Sequence, residues 1–243
     1  MGRYAILSDI HGNMYALESI VGDIRKENIK KILLLGDIID YGMQSNEVVT
    51  YISKELQDAI ICNIWGNHER AIMLSEYSDF SSERGVNSAK YTCSTLSNFS
   101  REYLATKLNK DAWVELELDG KNVLAIHGSR NNPYWKAISP FDVNGDYKEY
   151  DIVLSGHSHY PHLFYKFYVT DNANMRNRKA VLFVNPGSVG QPRNHNPRAQ
   201  YAILDSNYMS VELRAVSYEV NKAMSQYDGS IDDFYRERLG KGI

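Results

Sequence analysis

RYAILSDIHGNMYALESIVGDIRKENIKKILLLGDIID, residues 3–40, decides the fold. An apolar run from Tyr4 to Leu7 stops at Asp9 and His11, and a second, from Ile32 to Leu35, stops at Asp37 and Asp40. Between them Ala16, Leu17, Ile20, Val21 and Ile24 recur at the spacing of one helix face. Asn13 precedes that helix with a side-chain oxygen suited to its free N–H groups. Strand, helix and strand in this order predict a β-α-β unit. Continuous apolar runs predict strands covered on both faces.

The same event occurs three more times. AIICNIWGNHE (59–69) ends in Asn67, His68 and Glu69, KNVLAIHGS (121–129) ends at His127, and VLSGHSHYP (153–161) ends in His157 and His159. Residues i and i+2 of an extended chain share a side, so His157 and His159 are expected to aim at one point beyond their strand. Asp9 and His11 repeat that spacing. Two crowded imidazoles repel if both are protonated, and a metal cation removes the conflict by binding the neutral form. Taken singly, each group also fits a turn or a helix start. What carries weight is that all five sit beyond strand ends, where open α/β sheets bind ligands.

Elsewhere, SNEVVTYISKEL (45–56) has helical spacing, and residues 70–112 are expected to form short helices covering the site or a sheet face. WVELELDGKNVLAIHG (113–128) reads as a hairpin turning at Asp119-Gly120. HLFYKFYVT, KAVLFVNPG, AQYAILD and YMSVELRAV make the second half strand-rich, with a polar, basic loop at 171–179. The tail is expected to be helical over 217–227 and 230–239. The predicted fold is α/β, a four-layer α-β-β-α sandwich of two facing mixed sheets with outer helices, in one domain over 1–243.

Lys plus Arg number 27 against 30 Asp plus Glu, and a net charge of −3 argues against a general nucleic-acid binder. Hydrophobic residues make up 43%, and no apolar stretch is long enough for a membrane span. No secretory signal is expected from the N-terminal pattern. Cys62 reads as a buried thiol in an apolar run, and with Cys93 does not make a disulfide framework. A cytoplasmic protein is the expectation.

The order D-x-H, G-D-x-x-D, G-N-H-E, H-G and G-H-x-H, spanning residues 9–159, resembles the calcineurin-like metallophosphoesterase superfamily. HGSRNNPYW (127–135) and NPGSVGQPRNHNPRAQYAIL (185–204) look like its branch of small bacterial and archaeal phosphodiesterases related to diadenosine tetraphosphatases. The resemblance implies two divalent cations, one held by Asp9, His11, Asp37 and His159, the other by Asp37, Asn67, His127 and His157. Mn, Fe, Co, Ni and Zn all suit such nitrogen and oxygen donors. Two dications against two carboxylates and a bridging hydroxide leave positive charge for an anionic ester. Such a pair generates hydroxide at neutral pH and stabilises in-line displacement at phosphorus.

The resemblance also implies that His68 is a general acid with Asp40 behind it, while an ordinary Asp40–His68 surface pair is the plain alternative. Glu69 reads as a supporting or helix-start residue. Arg193 suits a substrate phosphate, or is simply a solvent-exposed loop arginine. His162 and His195 are assigned to no site. In protein Ser/Thr phosphatases and symmetrical dinucleoside tetraphosphatases an Arg-Gly follows G-D-x-x-D, whereas here Tyr41-Gly42 does, which argues against phosphoprotein hydrolysis. The implied activity is hydrolysis of phosphodiester or nucleotide polyphosphate bonds in a small-molecule phosphate ester or nucleotide. The alternatives are a phosphomonoesterase and a non-catalytic scaffold of the same fold. A DNA-repair-type nuclease is disfavoured by the acidic balance.

Overall fold

The computed structural model describes residues 2–143 and 145–243. Strand β1 (Arg3–Leu7), helix α1 (Met14–Lys26) and strand β2 (Lys31–Leu34) form the expected unit, with β1 and β2 parallel. Asn13 caps α1 by accepting from Ala16 N–H, and Ala16, Leu17, Ile20, Val21 and Ile24 are the residues it buries. The four larger of these, Leu17, Ile20, Val21 and Ile24, at about 1.5–3 kcal/mol each when fully buried, hold the helix far more firmly than its own propensity does.

Helix α2 (Ser45–Tyr51) runs into a π-helical turn, Ile52–Leu56, that keeps Ile52 and Leu56 in the core. Strand β3 (Ile60–Asn63) follows, then α3 (Asn67–Leu74), α4 (Glu83–Thr95) and α5 (Asn98–Lys107) across the mixed region. Strands β4 (Trp113–Leu118) and β5 (Lys121–Ile126) are the expected hairpin. Its turn residues Asp119 and Gly120 both have positive φ, 51° and 78°. After β6 (Ile152–Ser155) come β7 (His162–Val169), β8 (Arg178–Asn185), β9 (Ala199–Asp205) and β10 (Ser210–Val216). The tail helices, α6 (Val220–Met224) and α7 (Phe234–Lys241), are shorter than the pattern suggested.

Among the described residues two mixed five-stranded sheets result, ordered β10-β9-β1-β2-β3 and β4-β5-β6-β8-β7. Tyr4, Ile6, Leu33, Val123, Ala125, Leu154 and Val184 belong to the core cluster shared by the two sheets. Their alternates Ala5, Leu7 and Leu34 pack with α1 and α2 on the outer face of the first sheet. The continuous apolar runs follow directly, since both faces of these strands are covered.

The outer face of the second sheet differs from the expected helical layer. Leu124, Val153, Val181 and Phe183 are covered by Ile138, Tyr147 and Tyr150, which come from coil. Pro133 and Pro140 interrupt this segment, and local turns at Ser129–Asn132 and Ser139–Asp142 take the backbone bonds a helix would use. Among the described residues no helix is long and apolar enough to cross a membrane.

Candidate metal centre

The strand ends deliver the predicted side chains to one place, but not by extended geometry. Asp9, His11, Asp37, Asp40, Tyr41, His157 and His159 all lie in the left-handed region, with φ between 49° and 74°. Non-glycine residues rarely adopt it, and strain of this kind gathers at functional sites. Strands β1, β2 and β6 therefore end in tight turns that re-aim successive side chains. His157 and His159 consequently do not share a target. His159 turns to Asp9 and His11, and His157 to Asn67.

Two clusters of electron-pair donors form. In the first, His11 Nε2 is 3.2 Å from His159 Nε2, and Asp9 Oδ1 is 3.3 Å from His159 Nε2 and 3.9 Å from His11 Nε2. His11 Nδ1–H donates to the Ile39 carbonyl and His159 Nδ1–H to the Gln191 carbonyl. Both Nε2 atoms are therefore bare in the neutral rings. Asp9 Oδ2 accepts from His157 N–H, while its buried Oδ1 has no hydrogen-bond partner.

In the second cluster, His127 Nδ1–H donates to the Leu35 carbonyl. Its Nε2 faces Asn67 Oδ1 at 3.0 Å and Asp37 Oδ2 at 3.3 Å, and His157 Nδ1 is 2.9 Å from the same Asn67 oxygen. Asp37 links the two clusters. Its Oδ1 accepts from His68 N–H, and its Oδ2 lies 3.3 Å from His127 Nε2 and 3.8 Å from His11 Nε2. Gly66 makes room for this carboxylate, since a Cβ there would come within 2.1 Å of Oδ1.

Burial holds the pKa of His11 and His159 well below the ordinary histidine value and pushes His157 down to about 3. At His127 burial also opposes charge, but Asp37 beside it outweighs this and raises the pKa to about 9. Facing lone pairs, an orphaned carboxylate oxygen and a histidine drawn toward its cation all call for positive charge between these groups. The donor set, nitrogen and oxygen with no thiolate, fits first-row divalent metals and leaves room for substrate.

His68 lies against the clusters. Its Nδ1 is 2.6 Å from Asp40 Oδ2, and both side chains are buried, so the ordinary surface pair is not what forms. Burial works against its charged form, but Asp37 and the Asp40 bond outweigh it and raise its pKa. His68, His11 and Asp37 are close enough to form a donor group of their own. Asp40 is itself held by Ser88 Oγ–H and Thr92 Oγ1–H from α4 and by Ser45 Oγ at its backbone N–H.

Glu69 neither joins a cluster nor merely opens α3. Its carboxylate accepts from the backbone N–H groups of Asp37, Ile38, Ile39 and Gly66, pinning the G-D-x-x-D turn to the start of α3. Arg193 lines the site cavity of about 300 Å³ together with Asp37, Asn67, His68, His157 and His159. Its Nε is buried without a hydrogen-bond partner. Tyr41, which follows Asp40, packs its ring on His11, His68 and Tyr235. His162 bonds locally to the Tyr160 carbonyl, His195 is exposed, and neither lines this cavity.

The sequence reading missed Ser88 and Thr92, although their spacing of four puts two small polar residues on one face of α4. It also missed Phe80 and Trp135 at the cavity wall.

Residues 3–208 match the model of the calcineurin-like phosphoesterase superfamily domain. The chain belongs to that superfamily. It is a phosphoester hydrolase. This phosphoesterase is 30% identical over 248 residues to the uncharacterised protein MJ0912 of Methanocaldococcus jannaschii, covering 98% of this chain and 96% of that protein. Its fold is similar to that of a metallophosphoesterase from Sphaerobacter thermophilus, with a TM-score of 0.72, 24% identity and 99% of each chain covered. It is similar also to that of protein PH1004 from Pyrococcus horikoshii, with a TM-score of 0.76, 22% identity and 99% and 98% of the two chains covered.

Proposed function

We propose that the phosphoesterase hydrolyses phosphodiester or nucleotide polyphosphate bonds at a two-cation centre. The observation that carries this reading is the position of Asp37 Oδ2 between His127 and His11, which makes one carboxylate common to both donor clusters. Asp9, His11, Asp37 and His159 would hold one cation, and Asp37, Asn67, His127 and His157 the other. When bound, the pair supplies a hydroxide nucleophile and the positive charge that stabilises displacement at phosphorus.

The chain's own groups do the rest. His68, with its Nδ1–H fixed by Asp40, presents its other nitrogen to the leaving oxygen and holds the proton that oxygen needs. Arg193 grips a non-bridging phosphate oxygen. Tyr41 fills its position with a ring packed into the core, so the phosphate grip there is absent, which supports diesters and anhydrides over phosphoproteins. Residues 1–243 work as one unit in this reading. The two cysteines are unpaired, which supports a reducing, cytoplasmic setting.

The test is metal analysis of freshly purified protein, followed by kcat/KM for an aryl phosphodiester, a dinucleoside tetraphosphate and a phosphopeptide with each metal restored. Two equivalents of metal and a preference for the first two substrates are expected. A clear preference for the phosphopeptide overturns the reading.

A further inference from the structure

Two aromatic rings, Phe80 and Trp135, line the site cavity beside the donor clusters. Phe80 stands edge-on to the His68 ring with centroids 5.2 Å apart. Trp135 stands perpendicular to Phe80 at 5.2 Å and to His157 at 6.4 Å. Both rings are only half-buried, and both line the cavity beside the donors. Large apolar surface left open next to a charged centre marks a binding surface more often than a packing remnant.

Trp135 is also held firmly. Its backbone N–H donates to Asn132 Oδ1, and Gly128 N–H donates to the Pro133 carbonyl. The turn is wound so closely that a Cβ on Gly128 would meet the Asn132 and Pro133 carbonyl oxygens at 2.7 and 2.8 Å. The backbone that carries the indole is thus fixed before any ligand arrives, which lowers the entropic cost of stacking on it.

Space continues past the indole. Trp135 and Asp79 line both the site cavity and a neighbouring one of about 470 Å³. The Asp79 carboxylate there accepts readily from an exocyclic amino group.

We propose that the Trp135 indole, with Phe80 packed perpendicular to it, is a stacking face for the base of a nucleoside phosphate, so that the site takes nucleotide esters rather than phosphate esters in general. This rests on the two-cation reading for where the phosphate lies, and adds what the phosphate carries. Every base has a π-face, so the subsite selects for a nucleobase without reading its sequence, with Asp79 favouring bases that carry an amino group.

Calorimetric binding of AMP and of ribose 5-phosphate to the metal-loaded protein tests this, because ribose 5-phosphate carries a hydroxyl where AMP carries the base. Stacking on an aromatic side chain predicts AMP affinity higher by about 5- to 150-fold in the wild type. Trp135→Leu should bring that ratio close to one with ribose 5-phosphate affinity unchanged, and Trp135→Phe should keep most of it. Equal affinity of the two ligands for the wild type, or an undiminished ratio in Trp135→Leu, overturns the proposal. The wild-type ratio decides the matter even if Trp135→Leu does not fold. Binding does not require turnover, so a base-dependent ratio in a protein that hydrolyses no ester would sink the hydrolytic reading alone.

Discussion

The imidazoles of His11 and His159 face each other with their Nε2 atoms 3.2 Å apart, across 148 residues of chain. Each ring spends its other nitrogen on a backbone carbonyl, Ile39 and Gln191 respectively, so neither Nε2 carries a proton in the neutral ring. Burial keeps both rings neutral. Two lone pairs held this close repel, and the turns that hold them lie in the left-handed region. The folded chain carries an electrostatic cost here that a bound cation relieves.

Metal removal should therefore lower stability. A ligand at about 100 times its Kd stabilises a fold by roughly 2.7 kcal/mol. For a chain of this size that corresponds to a fall in Tm of roughly 5–10 °C on chelation, using about 2–4 °C per kcal/mol. Calorimetry with and without chelator, and after Mn²⁺ is restored, measures it. An unchanged Tm would count against cation binding at this pair.

Asp37 is expected to be irreplaceable in a different sense. Its Oδ1 is fixed by His68 N–H and its Oδ2 serves both clusters, so Asp37→Asn puts an amide where two cations would share a carboxylate. Metal content should fall at both positions and hydrolysis should be lost. Two tightly bound metals and near-normal turnover in the purified variant would show that Asp37 does not bridge.

The donors were legible because each interrupts an apolar run at the same point, and the β-α-β unit because its helical stripe is complete from Ala16 to Ile24. The aim of His157 and His159 was not legible from their spacing, and only the family resemblance assigned them to different cations. Spacing of two implies a shared side only in extended backbone, and here left-handed turns follow β6, a choice made by tertiary packing. The coil over the second sheet was hidden for a similar reason. Ile138, Tyr147 and Tyr150 have no period to betray that they cover a sheet. Support for Asp40 from Ser88 and Thr92 depends on α4 lying against that turn, which sequence distance conceals.

Glu69 illustrates a role that residue type alone cannot assign. Its carboxylate satisfies four buried backbone N–H groups, three of them in the turn that carries Asp37. A buried donor left without a partner costs about 1–3 kcal/mol. Glu69→Ala is expected to lower Tm by roughly 10 °C or more, at about 2–4 °C per kcal/mol. Glu69→Gln should lower it less, because one acceptor oxygen remains while the amide N–H groups confront backbone donors. Thermal melts of both variants check this, and a Glu69→Ala melt within 2 °C of wild type, about 1 kcal/mol, would mean the turn holds without it.

The His68–Asp40 pair separates proton donation from metal binding. His68 adjoins Asn67 and comes within reach of His11 and Asp37, so geometry alone admits it as a ligand. Its short bond to Asp40, itself fixed by Ser88 and Thr92, instead orients the ring and favours the protonated form. A nitrophenolate leaves readily as an anion, whereas an alkoxide needs a proton as it departs. Positioned acid catalysis contributes about 10²–10⁴-fold. His68→Asn is expected to lose activity on that scale toward an alkyl ester and far less toward a nitrophenyl ester, with the metal content unchanged. Asp40→Asn should show the same dependence on leaving group more mildly, since it disturbs only the orientation and charge of the ring. Rates on both esters, measured beside metal content in each variant, decide the role. Equal losses on the two esters exclude proton donation, and a metal lost in His68→Asn would make His68 a ligand.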